Sequence, residues 1–238
     1  DRSPQSAVLG PQSSALSPRH PALGFLEDHA LLADGLLALY EATFDARWLR
    51  EARALADTML ARFWDDAIGG FYDTAADHEA LVVRPRDTGD NATPSGNSVA
   101  ADVLLRLAAI FDDQTYRARA ETVLNGMVQF MERYPTGFGR YLAAAEFALA
   151  TVKEIALVGE PAAEDTRALI DTIFRPFLPN KVVLLRRPGE DPPAVDSPLL
   201  EDRVQIDGKA TAYVCEHYAC KLPATSVELL QVQLDIAS

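Results

Sequence analysis
The sequence predicts a mainly α protein, a partial (α/α) toroid of antiparallel helical hairpins with a small βαβ segment near the C-terminus. Three observations carry this prediction. Segments of helical period alternate between apolar on every side and apolar on one side only. Short joints rich in helix-starting residues separate them, which makes successive helices antiparallel neighbours. Beyond residue 151 the pattern changes to strand, helix, strand.

Residues 26–43 (LEDHALLADGLLALYEAT) are interrupted mainly by Glu27, Asp28, His29, Asp34 and Glu41, so this helix is expected to be surrounded by protein. In residues 46–64, Trp48, Ala52, Leu55, Met59 and Phe63 form one stripe, with arginines and acids over the remainder. Residues 95–111 are almost wholly apolar, with Asp102 and Arg106 as exceptions. A spacing of four predicts that these two pair along the helix. Residues 113–133 return to a stripe of Tyr116, Ala120, Val123, Met127 and Met131, and residues 140–150 are of the buried kind again. Asp45 and Asp113 stand where N-cap acceptors are wanted. Thr93-Pro94 offers a capping hydroxyl and a first-turn proline.

The order inner, outer, inner, outer, inner is that of two concentric layers, with about two and a half hairpins visible. A plain helical bundle or solenoid is the competing architecture. Residues 152–159 then read as a strand ending in Gly159, 162–177 as a helix, 181–186 as a second strand parallel to the first, and 188–198 as a Pro-rich loop. A final strand-like stretch, 210–214, precedes two cysteines. The chain thus divides into a flexible arm (1–22), the hairpins (23–150) and the βαβ segment with a cysteine-containing tail (151–238).

With 238 residues, 48% of them hydrophobic, the chain can bury a large core. A formal net charge of −13 disfavours nucleic acid and anionic membrane as partners, since both need clustered cations. No apolar run approaches the ~20 residues that span a bilayer. Two cysteines make no disulfide framework, so a reducing compartment, the cytoplasm, is expected. Cys215 and Cys220 do not have redox C-x-x-C spacing, and with His217 they fall short of a zinc set. Inert buried thiols are the plain reading, with a disulfide or persulfide role left open. No metal site and no cofactor are expected; phosphate-loop and dinucleotide glycine motifs are both missing from the sequence.

Parallel inner helices place their N-terminal ends on one rim. That rim would gather Glu27-Asp28-His29, the segment from Asp90 to Ser98, and the start of the helix carrying Tyr141, together with the long connection 65–91 and the hairpin turn expected at Gly69-Gly70. Glu27 and Asp28 suit acid–base work or merely complement a helix dipole. His29 suits a base or a packing residue. Asp34, Asp102 and Glu146 interrupt inner helices, and a buried carboxylate needs a partner or a water-filled cavity. Asp90, Asn91, Ser95 and Asn97 beside Tyr72 and Tyr141 suit a sugar, whose faces stack while its hydroxyls hydrogen-bond. Arg84 and Arg86 would meet an acidic group on it.

The stretches Phe25-Leu26-Glu27-Asp28-His29-Ala30, Phe63-Trp64-Asp65, Gly69-Gly70-Phe71-Tyr72-Asp73-Thr74, Arg84-Pro85-Arg86-Asp87, Asp90 to Ser98 and Cys215-x-x-x-x-Cys220 resemble, in order, the C-terminal third of the spermatogenesis-associated protein 20 family. The resemblance runs from about Leu23 to the C-terminus. It implies a six-hairpin glycosidase-like toroid related to N-acylglucosamine 2-epimerase, preceded in the family by a thioredoxin-like domain and further hairpins. It implies no particular reaction. The functional expectation is a carbohydrate-processing toroid part binding a sugar-like molecule. There Glu27, Asp28, His29 and Asp90 are the catalytic candidates, and Arg84, Arg86, Asn91, Ser95, Asn97, Tyr72 and Tyr141 the binding ones. One alternative is a non-catalytic docking module completed by a partner chain that supplies the missing hairpins or the thioredoxin-like domain. Another is a thiol-redox-linked accessory domain using Cys215 and Cys220.

Overall fold
In the computed structural model, residues 24–78 and 82–235 are described. The arm expected over 1–22 lies outside them. Seven α-helices and a small sheet make up the described chain, which is mainly α at about 51% helix.

Helix α1 (Leu26–Thr43) occupies the predicted span. Its first turn is held by Asp28, whose Oδ2 accepts from the backbone N–H of Phe25 at 2.8 Å. The expectation that protein surrounds α1 is corrected. Asp28, Leu32, Gly35 and Leu39 recur at spacings of four, three and four on a face left open, with Leu32 56% exposed. The other faces meet α2 and α3, which cover only part of the circumference.

Helix α2 (Ala46–Arg62) is capped by Asp45, and α4 (Gln114–Arg133) by Asp113. The stripe predicted for α2 is rotated: Ala46, Leu49, Ala52, Ala56 and Met59 are buried, while Trp48 and Leu55 are half-buried. Small alanines let α1 approach, and the bulky pair moves to the flank. Helix α3 (Gly96–Phe111) starts later than Thr93-Pro94 implied. Its cap is Ser95, whose Oγ accepts from Ser98 N at 3.1 Å, because Asp90 has already fixed Ser95 N. Helix α5 (Gly139–Leu149) follows a 3-10 turn at Pro135–Gly137. The odd helices lie side by side, α1 on α3 and α3 on α5, while α2 packs on α1 and α4 on α3. Between α2 and α3, β1 (Trp64–Asp65) and β2 (Gly70–Phe71) form the anticipated hairpin, with Gly69 at φ +60° in its turn.

Strand β3 (Lys153–Val158), helix α6 (Glu164–Phe174) and strand β4 (Lys181–Arg186) form the βαβ unit, with β3 and β4 parallel. Helix α6 stops short of residue 177 because Pro176 disfavours helical geometry just before it. The final strand is longer than predicted: β5 (Thr211–Glu216) pairs antiparallel with β3 and is followed by β6 (Ala219–Cys220), giving the order β4-β3-β5-β6. Helix α7 (Val227–Gln233) closes the described chain. Alternate residues divide the sheet's two faces. Ala156, Val182, Leu184 and Tyr213 join the helical core, whereas Ile155, Leu157, Val183 and Val214 pack with Leu169 and Ile173 of α6 and Leu230 of α7. The two cysteines are not free thiols but a disulfide, and Cys220 is exposed. Among the described residues no helix is long and apolar enough to cross a membrane.

Candidate functional site
Helices α1, α3 and α5 bring their N-terminal ends together, and close packing fixes the meeting. A Cβ on Gly96 would stand 3.0 Å from the backbone nitrogen of Glu27, so the two helix starts touch backbone to backbone. Asp90 ties in the third helix. Its Oδ1 accepts from Ser95 N at 3.0 Å and Ser98 Oγ at 2.6 Å, and its Oδ2 from Arg140 N at 2.8 Å and Tyr141 N at 3.4 Å. One carboxylate thereby satisfies free amides at the starts of α3 and α5.

Above this junction lies a cavity of about 480 Å³ lined by Glu27, Asp28, Asp73, Asp87, Asn91 and Ser95, among others. Of the candidates named from the sequence, Glu27, Asp28, Asn91 and Ser95 are therefore neighbours at one opening. Asn97 is fully buried behind it. Its side chain accepts from Phe71 N at 3.0 Å and donates to Phe71 O and Asp87 O at 3.1 and 3.3 Å, clamping the β-hairpin to α3. Tyr141 is buried too, and burial pushes its phenol up to about 12. His29 turns away: its Nδ1 lies 2.8 Å from Phe25 O and its ring packs on Phe63. Arg84 donates to Thr74 O and stacks over Tyr72, and Arg86 packs across Gly70. Arg84 is thus held by the protein, whereas the Nε of Arg86 is buried without a hydrogen-bond partner among the described residues, and four carboxylates line the opening. Burial raises the Asp73 carboxyl above its ordinary range, with neighbouring Asp87 and Glu27 adding to the rise.

A second cavity, about 460 Å³, runs along the side-by-side helices. It was signalled in the sequence by Asp34, Asp102 and Glu146. The predicted Asp102–Arg106 pair does not form. Arg106 instead reaches across to α1, 3.3 Å from both Asp34 and Glu41, and Asp102 is met by Arg140 at 2.5 Å. Arg140 also binds Asp34 at 2.9 Å, so one guanidinium joins three helices. Packing overrides the local spacing because a cross-helix pair is more buried, hence less screened, than an exposed one along a helix. Glu146 accepts from Asn180 at 2.7 Å, and Lys181 and the rings of Phe147, Phe174 and Phe177 complete the lining. Burial raises the Asp102 carboxyl, opposed by Arg140 and Arg106, and lowers the Lys181 ammonium. Arg140, Lys181 and the phenylalanines were not singled out from sequence, since their meeting depends on α5 and the 174–181 segment folding over the helices. Arg140 also ties the groove to the helix junction, its backbone N–H on Asp90 and its side chain among the groove's carboxylates.

No family model matches the chain. Human spermatogenesis-associated protein 20 is 35% identical over 225 residues, covering 93% of this chain and 28% of its own length. The mouse protein of the same name is 35% identical over 86% of this chain. The chain is a homologue of the C-terminal part of spermatogenesis-associated protein 20. An uncharacterized protein of Caenorhabditis elegans is 25% identical over 95% of it. The chain spans little more than a quarter of the human spermatogenesis-associated protein 20, corresponding to its C-terminal part.

The geometry separates residues that build the opening from those that face it. D90A, which removes four hydrogen bonds, is expected to cost about 2–4 kcal/mol in urea unfolding, whereas E27Q stays within about 0.5 kcal/mol. Asp102 sets a pH dependence. Because its folded pKa lies above its unfolded one, the folded state holds that proton more tightly; stability from this group is present in acid and is lost as pH rises through the folded pKa. Urea midpoints taken from about pH 4 to 7 should show that fall in the parent and a flatter profile in D102N; parallel profiles would contradict the assignment.

Proposed function
We propose that this chain is part of an (α/α) toroid whose inner face, formed by α1, α3 and α5, binds a polyhydroxylated, sugar-like molecule. The supporting observation is the strip of Asp34, Asp102, Arg106 and Arg140 along a groove that also presents aromatic rings. Carboxylates and guanidinium groups hydrogen-bond hydroxyls, and aromatic faces stack on sugar rings. Asp102 supplies the groove with a carboxyl group of the type that acid–base chemistry of the epimerase or glycosidase kind requires. Glu27 and Asp28 supply further carboxylates at the opening. In the groove itself Asp34, Glu41, Asp102 and Glu146 outnumber Arg106, Arg140 and Lys181, which favours a neutral or amino sugar over an acidic one.

A specific observation favours a second reading, in which the chain docks against further hairpins. The open face of α1 carries Leu32 and Leu39, and an apolar helix face without a partner marks an interaction surface.

Calorimetric titration with neutral, amino and acidic sugars tests the first reading. Binding of a neutral or amino sugar, weakened roughly tenfold or more in R140Q, is the expected result. A folded chain that binds none of them, or prefers the acidic sugars, contradicts it. Sedimentation of the same samples tests the second: self-association that L32E abolishes supports it, and a monodisperse monomer opposes it.

A further inference from the structure
The edge hairpin of the sheet carries chemistry that the helical site does not use. Cys215 in β5 and Cys220 in β6 oppose each other across the ladder and are joined by a disulfide around the turn His217-Tyr218. The hairpin tip rests on the rest of the fold. Tyr218 N donates to Glu154 Oε2 at 2.8 Å, and Tyr218 Oη donates to the α3 carbonyl of Ala109 at 2.9 Å.

The two sulfurs differ in access: Cys215 is 1% exposed, while Cys220 is open to solvent. Arg203 Nη2 stands 2.9 Å from Cys220 Sγ and 3.8 Å from Cys215 Sγ. The side chain's other hydrogen bond among the described residues goes from Nε to Leu199 O, and the guanidinium lies over the Tyr213 ring at 4.8 Å. In a chain with 35 acidic residues, this cation is held against a neutral disulfide and makes no hydrogen bond to a carboxylate among the described residues. A neutral disulfide gains little from such a neighbour, but a thiolate gains a charge-assisted hydrogen bond. A purely structural staple explains the placement less well, because closing so short a loop removes less unfolded-state entropy than closing a long one.

We propose that Cys215–Cys220 is a thiol–disulfide exchange site, with Arg203 stabilising the thiolates and a dithiol as the reaction partner. One thiolate of the dithiol attacks Cys220 Sγ. The S–S bond breaks, and its electron pair leaves on Cys215 Sγ beside the guanidinium. The second thiol of the partner loses its proton to solvent and attacks its own sulfur in the mixed disulfide, releasing Cys220 as a thiolate. In sum the protein disulfide takes up two electrons and becomes two thiols once protonated, and the dithiol becomes a disulfide. Reduction would free the hairpin that presses on the end of α3, so redox state and the helical layer are coupled.

The test uses the whole chain without denaturant. Dithiothreitol is the reducing probe, and the pH profile of Cys220 alkylation is measured for the parent, R203Q and R203K, with circular dichroism as the folding control. Both thiols should be released while the fold persists. The alkylation midpoint should lie higher in R203Q than in the parent and return towards it in R203K. A tenfold loss of thiolate, partly offset by its greater intrinsic nucleophilicity, slows alkylation at pH 7 about threefold. The parent's midpoint should also lie below that of the same chain unfolded in urea, a comparison that needs no variant. A disulfide that resists the dithiol until the protein unfolds, a folded R203Q with an unchanged profile, or a native midpoint no lower than the unfolded one would overturn the proposal.

Discussion

The molecule is arranged around a helix that is buried nearly all round, open only where Asp102 and Arg106 meet the groove. Thirteen of the sixteen residues of α3 are buried, and each large aliphatic among them contributes about 1.5–3 kcal/mol only if other elements cover it. Helices α1, α4 and α5 and strand β4 provide that cover. Both ends of α3 then become anchoring points. At its start, Ser98 and Asn97 hold the Asp90 loop and the β-hairpin. At its end, the carbonyls of Ala109 and Ile110 accept from Tyr218 and Ser197. The acidic opening and the disulfide hairpin are thus attached to opposite ends of one rigid element.

Helices were legible where their residues answer to local physics. The span of α1, the caps Asp45 and Asp113 and the buried stripe of α4 all follow from periodicity and from orphan amides needing an acceptor. Legibility failed where a distant group intervened. Ser95 displaced Thr93 as the cap of α3 because Asp90 positions it, and Ala56 displaced Leu55 because α1 comes close. The apolar α1 was expected to be enclosed, yet composition cannot say which neighbours exist to enclose it.

The site was legible in part for the same reason. Topology brought Glu27 and Asp28 beside Asn91 and Ser95, as parallel helices require. The direction of individual side chains was not legible: Arg84 reads as a cation awaiting an anion, and it is committed to the Thr74 carbonyl. Asp102 and Arg106 show how a spacing rule yields to burial, each finding its partner on another helix. The carboxylates that interrupt α1, α3 and α5 marked the groove, but Arg140 could be assigned to it only after folding. The link to spermatogenesis-associated protein 20 is a statement of ancestry over about a quarter of that protein, while the chemistry proposed for the groove and for the hairpin rests on side chains placed in this chain.

Native-state hydrogen exchange addresses the central claim, that α3 is the element from which the opening and the hairpin are both suspended. Amides in the middle of α3 should exchange only through global unfolding, at the free energy found by denaturant titration, with α2 and the hairpin at 217–220 opening at lower cost. If α3 instead opens locally, more easily than α2 or α4, the helix is not the fixed axis and this account of the site is wrong.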